Sequence, residues 1–437
     1  MAMTQEPLIG WQAVEESGDL GILRRVLAHL GDEELMEALE RRRAGRRDRY
    51  PVRAVWNTFV AAVVLGHETM TAFLRELRRN AELRQVLGYD PMLGSEAVPR
   101  GYVLSRLLAR LEEHEELVAG IFRGLVARLF NELPEDFGRD LAADGKAIKS
   151  RMRKDLEAGL GTKKSTDADE EVLYQWFGYK VHCLSDTRTE LPIAFRVSPP
   201  DRGESPELLP LLEEAMEDHP QLCKRAETLA ADKGYDDGED KLVLHREHGI
   251  APVIPARDLF RGEYKPLEEK VHDTVYTSPS GEIACRIAPF RRGQEKQFCS
   301  MQFQGFEADR GTLKFRCPAA AFGVECQNKE ACRSAIKDRG HGRVVRVKIE
   351  DNPRLFTPIY AHSQRFARLY KGRTSIERLF SRLDNMFGME APLRTTGLAR
   401  ATIRVTIAMS AMVATALGWL AEERPGMIRR RLQSAAA

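Results

Sequence analysis

The sequence predicts an α/β protein: a mixed sheet with helices on its faces, a helical region before it and a β-rich insertion before the last helices. Three observations point there. Residues 1–135 repeat their apolar positions at helical spacing. Residues 140–256 read as strand, strand, strand, helix, strand, helix, strand. From 257 to 355 that pattern stops, and Gly, Arg and Cys accumulate among short strand-like pieces. Helical sequence resumes near residue 363. The resulting divisions are 1–135, 136–256, 257–355 and 356–437.

The helical region carries apolar stripes in 20–40, 54–66, 70–87 and 103–131. Between the first two lies RRRAGRRDRYPVR, residues 41–53. Such a run is either a solvated helix end or a DNA-backbone contact, with Arg46 and Arg47 at its centre. The 437 residues carry a net charge of only +2, so a nucleic-acid surface must be a local patch.

The stretch DLAAD (140–144) is a short apolar strand ended by Asp-Gly, with a polar loop expected through Glu170. Residues 174–186 and 191–199 are strands joined by the turn-like SDTRTE, which makes an antiparallel meander. The amphipathic helix 204–218 has Pro in its first turn. Strand 227–232, helix 237–249 and strand 250–256 follow. Strands separated by helices pair in parallel, so the sheet is mixed. Residues 364–388 form a charged helical stretch, and 401–423 an apolar one. The apolar run Val405–Leu420 includes Thr406, Ser410, Thr415 and Gly418, so a buried helix is expected and no membrane span. The first residues show neither a basic nor an apolar signal segment. A cytoplasmic, nucleoid-associated protein with its seven cysteines reduced is the expectation.

One recurrence stands out. LAAD occurs at 141–144 and again at 229–232. An apolar strand followed by Asp presents a carboxylate at the C-terminal edge of a sheet, where ligands bind in open α/β folds. If the two strands are neighbours, Asp144 and Asp232 converge. Each Asp also has a structural reading, as a turn residue. Two converging carboxylates repel unless a cation lies between them, and Mg²⁺ suits oxygen donors. A third acid stands in YKGRTSIERLF (370–380), where Tyr370, Arg373 and Glu377 share one face of a continuous helix. The competing reading makes Thr374 and Glu377 a capping box.

These three motifs resemble those of bacterial insertion-sequence transposases of the DDE type. They are DGKAIK with Asp144, ADKGYDD with Asp232, and Tyr-x2-Arg-x3-Glu with Tyr370, Arg373 and Glu377. The last is similar to the signature of the group with a Tyr-Arg-Glu-Lys motif. RYPVRAVWNTFVAAVVLG (49–66) is similar to the DNA-binding and dimerising region of such proteins. The resemblance implies a ribonuclease-H-like sheet and catalysis by Asp144, Asp232 and Glu377. Two Mg²⁺ or Mn²⁺ ions would be held on these acids. The implied partners are double-stranded DNA, meaning terminal inverted repeats and target, and a second copy of the chain. The family pattern continues Glu-x6-Lys, but here that position is Asp384, so the DNA contact would pass to Arg378 or Arg382. Lys146 and Lys149 either grip the DNA backbone or belong to a solvated loop. Trp56 and Trp176 either pack in the core or stack on a base.

Five cysteines fall in the insertion, among them the Cys-x8-Cys-x5-Cys series Cys317, Cys326 and Cys332. Structural zinc on these with Cys299, or with His341, is one reading; buried free thiols are the other. Three rivals to a transposase remain on sequence grounds. They are a metal-dependent nuclease of the same fold without strand transfer, a catalytically inactive DNA-binding descendant of a transposase, and an unrelated zinc-binding structural protein.

Overall fold

The structure, a computed structural model, describes residues 18–41, 50–167, 170–257, 260, 262–267, 274–288, 297–329, 332 and 342–428. The N-terminal part is helical: α1 (Asp19–His29), α2 (Glu33–Arg41), α3 (Val52–Val64), α4 (Met70–Arg79), α5 (Ala81–Leu87), α6 (Gly101–Glu112) and α7 (Glu115–Glu132). Local chemistry sets several of these boundaries. Thr69 and Asn80 accept N–H bonds at the starts of α4 and α5. Trp56 is buried in α3 and donates its indole N–H to Asp32, so it packs in the core.

The central sheet contains β1 (Asp140–Lys149), β2 (Gly159–Asp167), β3 (Glu170–Asp186), β4 (Pro192–Ser198), β5 (Thr228–Ala231) and β6 (Ala251–Val253). Its order is β2-β3-β1-β5-β6, with β4 also paired to β3. The first strands pair antiparallel and the last two in parallel, as the connections through helices require. This is the mixed sheet expected from the sequence. Helices α8 (Ser205–Asp218), α9 (Pro220–Arg225) and α10 (Gly238–Arg246) supply the crossovers.

One expectation fails here. The polar loop through Glu170 is largely strand: β1 runs on past Asp144 to Lys149, and β2 forms a hairpin with the first half of β3. Asp-Gly looks like a turn, but Asp144 and Gly145 face Cys183 and His182 across an antiparallel ladder. The backbone partners decide the conformation, not the dipeptide.

The insertion forms antiparallel sheets. One holds β7 (Lys265–Pro266), β8 (Val275–Thr277), β9 (Ile283–Arg286) and β10 (Phe298–Ser300). The other holds β11 (Gln302–Glu307), β12 (Thr312–Arg316) and β13 (Val344–Lys348). A short helix, α11 (Pro318–Phe322), lies between β12 and β13. The insertion has its own small core around Val275, Leu313, Phe315 and Val345. Both its ends meet at Asp236, which accepts from the Arg257 amide at 2.8 Å and from Arg354 at 2.7 Å. Lys241 completes this buried cluster at 2.6 Å.

After the insertion come α12 (Gln364–Tyr370), a 3-10 turn at Lys371–Arg373, α13 (Thr374–Phe387) and α14 (Leu398–Ala421). Helix α14 has 24 residues and is long and apolar enough to cross a membrane, yet 89% of its apolar window is buried inside the protein. It packs on α7, α1 and α3, and one apolar core runs from these helices into the sheet. Phe122 of α7 meets Phe195 of β4 edge to face at 4.9 Å.

Candidate active site

The two LAAD strands are neighbours. β1 and β5 pair in parallel through Leu141↔Leu229, Ala142↔Ala230 and Ala143↔Ala231. The apolar bodies are sealed: Leu141 and Leu229 are fully buried, each contributing about 2 kcal/mol of burial energy. The next residue on each strand is therefore an Asp at the same sheet edge, Asp144 and Asp232. Asp144 is 6% exposed and accepts from the Gly145 amide at 2.7 Å. Asp232 is half-buried and caps the following turn, accepting from the Gly234 amide at 2.5 Å.

Helix α13 crosses this edge and brings Glu377, whose side chain is half-exposed. Glu377 does not cap the helix. Its Oε1 accepts from Arg373 Nη2 at 2.6 Å, while Arg373 Nη1 lies 3.5 Å from Asp144 Oδ2. The guanidinium thus bridges an acid of the sheet and the acid of the helix. The 3-10 turn interrupts the continuous helix expected over 370–377, yet Tyr370 stays near Arg373, with Cζ 5.8 Å from its ring centre.

The three acids line one cleft of about 620 Å³. The same cleft holds further carboxylates, among them Glu204 at the start of α8, which the motif reading missed. Glu204 Oε1 accepts from Lys180 of β3 at 2.6 Å. This ion pair packs against Gly145 and Gly234, which follow the two sheet acids. A methyl group built on Gly145 would lie 2.6 Å from Lys180 Cε, and one on Gly234 would lie 1.9 Å from Glu204 Oε2. Both glycines are there for close approach, since any side chain would displace the pair. Glu204 carries no sequence signal beyond standing before a helix. The Tyr235 side chain is buried within reach of these charges. Burial, then the charges of Asp144, Glu204 and Asp232, hold it protonated far beyond the usual tyrosine range.

The basic residues divide sharply. Lys146 lines the cleft and donates to Asp384 at 2.7 Å, while the buried Asp384 Oδ1 has no hydrogen-bond partner among the described residues. Lys149 stands near Tyr174, with Nζ 5.7 Å from its ring centre. Arg382 does not face the cleft as a DNA contact. It is 4% exposed and held by Glu190 at 2.9 Å. Arg378 binds the same carboxylate at 2.7 Å from a more exposed position. Glu190 is itself 2% exposed, and its pairing with two guanidiniums fastens α13 to the turn after β3. The helix face that looked ready for DNA is partly spent on anchoring. Arg46, Arg47 and His341 lie outside the described residues.

All the acids offer oxygen, the donor set that Mg²⁺ and Mn²⁺ prefer. Asp144 and Asp232 fit such ions as an edge-presented pair, and Arg373 already puts a positive charge between Asp144 and Glu377. Among the described residues no group of three His, Cys, Asp or Glu side chains is placed to hold an ion. The same holds for the cysteines. Cys299 lies opposite Cys285 across β9 and β10, and the Cys317, Cys326 and Cys332 side chains are half-buried.

The family model of the transposase DDE domain matches residues 136–414. That span contains both strand-end acids, the insertion, α13 and most of α14. No curated protein matches this chain.

Proposed function

This chain belongs to the transposase DDE domain family, and on that premise we propose that it cleaves DNA at the ends of a mobile element and joins them to target DNA. The parallel register Ala143↔Ala231 supports this reading most, because it delivers two carboxylates to one sheet edge. Asp144, Asp232 and Glu377 are the catalytic, metal-holding set in this proposal. They would hold two divalent ions, which would supply charge neutralisation and an activated water or 3′-hydroxyl for in-line attack on phosphorus.

The chain's own residues position and neutralise. Asp144 and Asp232 directly follow the paired residues Ala143 and Ala231, so their backbone positions are set by the sheet. Arg373 must release Asp144 before that carboxylate is free. A guanidinium suits bidentate phosphate recognition, so Arg373 turns to the DNA backbone when it lets go. Tyr370, Lys146 and Lys149 flank the same path. No covalent enzyme intermediate is required. The pattern Tyr370-x2-Arg373-x3-Glu377 supports placement in the group with a Tyr-Arg-Glu-Lys signature. Asp384 departs from it, and Lys146 supplies a cation beside that position instead. The helical N-terminal part, with Arg46 and Arg47, contacts element ends and a second copy of the chain. The protein then works in the cytoplasm, at the nucleoid.

The test uses purified protein, Mg²⁺ or Mn²⁺, and duplexes taken from the DNA flanking its gene. Nicks at the element boundary and joined strand-transfer products are expected. Nicks without joined products identify a nuclease instead. Binding without any cleavage identifies an inactive DNA-binding descendant.

A further inference from the structure

The hairpin of β2 and the first half of β3 carries none of the acids, yet it forms a wall of their cleft. Tyr174 and Trp176 stand two residues apart on β3 and so project from the same face. Their rings stack with centroids 6.2 Å apart at 25°. Trp176 is rigidly held. It is 8% exposed, and its Nε1–H donates to the Tyr179 carbonyl at 3.1 Å. Its indole lies flat over Gly161, where an added methyl group would come within 2.3 Å of the ring. Tyr174, by contrast, is 43% exposed and lines the cleft beside Asp144, Asp232 and Glu377. Lys149 stands over its ring, with Nζ 5.7 Å from the ring centre.

Tyr174 is part-exposed on the cleft side, and a fixed second ring backs it. The ring offers a stacking face and Lys149 offers a cation. A nucleotide presents the matching parts, a flat π surface and a phosphate. We propose that Tyr174 is a stacking shelf for a nucleobase at the DNA end held in the cleft, with Lys149 reaching that nucleotide's phosphate. The proposal rests on the function proposed above only for the identity of the ligand as DNA. Stacking tolerates every base, so the shelf holds an end without reading its sequence.

The probe is a short duplex with a frayed end, carrying 2-aminopurine at one terminal position in turn. Binding is followed by fluorescence without added metal, so cleavage plays no part. Quenching at one position is expected for the full chain and for Tyr174→Phe. Tyr174→Leu keeps the apolar bulk but should lose the quenching and weaken binding roughly 5- to 100-fold, the range for one stacked base. The same variant should bind an end that is abasic at that position as the unsubstituted chain does. Quenching that survives Tyr174→Leu, or equal losses on intact and abasic ends, overturns the shelf. A protein that binds and cleaves DNA with no quenching anywhere overturns it too, and leaves the proposed function standing. A protein that is quenched but never cleaves overturns the proposed function and leaves the shelf.

Discussion

The sheet edge and the helix α13 both present acids to one cleft, but they hold them in different ways. Asp144 and Asp232 follow directly from paired strands, so backbone hydrogen bonds fix their relative position. Glu377 sits on a helix that reaches the sheet through side chains: Glu190 clamps Arg378 and Arg382 from behind, and Arg373 ties Glu377 to Asp144 in front. A strand pair cannot shift one acid relative to the other without breaking its ladder. A helix held by ion pairs, after a 3-10 turn, adjusts by exchanging partners. The fixed half of the site is therefore the Asp pair, and the adjustable half is Glu377 with Arg373.

Asp232→Asn strikes the fixed half. Metal-dependent DNA cleavage is expected to fall by roughly a thousandfold, about 4 kcal/mol of lost charge stabilisation, with DNA binding unchanged. Cleavage at the normal rate by the folded variant would remove Asp232 from the site. Glu190→Gln strikes the clamp. It takes away the carboxylate that two guanidiniums share and leaves Arg382 buried, a loss of about 3 kcal/mol in denaturant unfolding. A loss below about 0.5 kcal/mol would mean that apolar packing alone seats α13.

The sheet half has its own pH limit. His182 lies opposite Gly145 in the ladder, 1% exposed, and burial lowers its pKa to about 4. The unfolded chain takes up that proton below its ordinary value of 6.5, and the folded chain does not. Stability is thus lost as pH falls from 6.5 toward 4, by roughly 2–3 kcal/mol, and this histidine adds no slope above 7. Unfolding of His182→Gln across that range should show a shallower decline. An identical slope in both would assign the acid sensitivity elsewhere. Arg373→Leu has the smallest expected effect. Removing the internal cation should tighten Mn²⁺ binding to the DNA-free protein by roughly fivefold, about 1 kcal/mol, in a calorimetric titration. Unchanged or weaker binding would show that the guanidinium does not compete for the acids.

Much of this was legible in the sequence. Periodicity alone separates the helical region, the sheet and the insertion, because 3.6- and 2-residue spacing are properties of local chain geometry. The LAAD recurrence announces both sheet acids, since an apolar tripeptide before an Asp describes a buried strand and its edge in five letters or fewer. Helix α14 also reads as buried from its composition. Other features left no such trace. The strand character of 145–149 was hidden by Asp-Gly, whose turn preference is overruled by pairing with β3. Glu204 and Lys180 are unremarkable in sequence and central in space. Arg382 looks like a DNA contact until Glu190, nearly two hundred positions away along the chain, is found beside it.

The sequence by itself determined which acids are candidates for the chemistry, most of the element order and the class of ligand such acids suit. Those follow from local spacing and from what each side chain is. Only the tertiary structure decided which charges are spent on each other. Arg373 on Asp144 and Glu377, Lys146 on Asp384, Lys180 on Glu204 and the Arg378–Glu190–Arg382 clamp all join residues from separate elements. Coulomb attraction depends on distance through space, and the chain's own numbering holds no record of that distance until it folds.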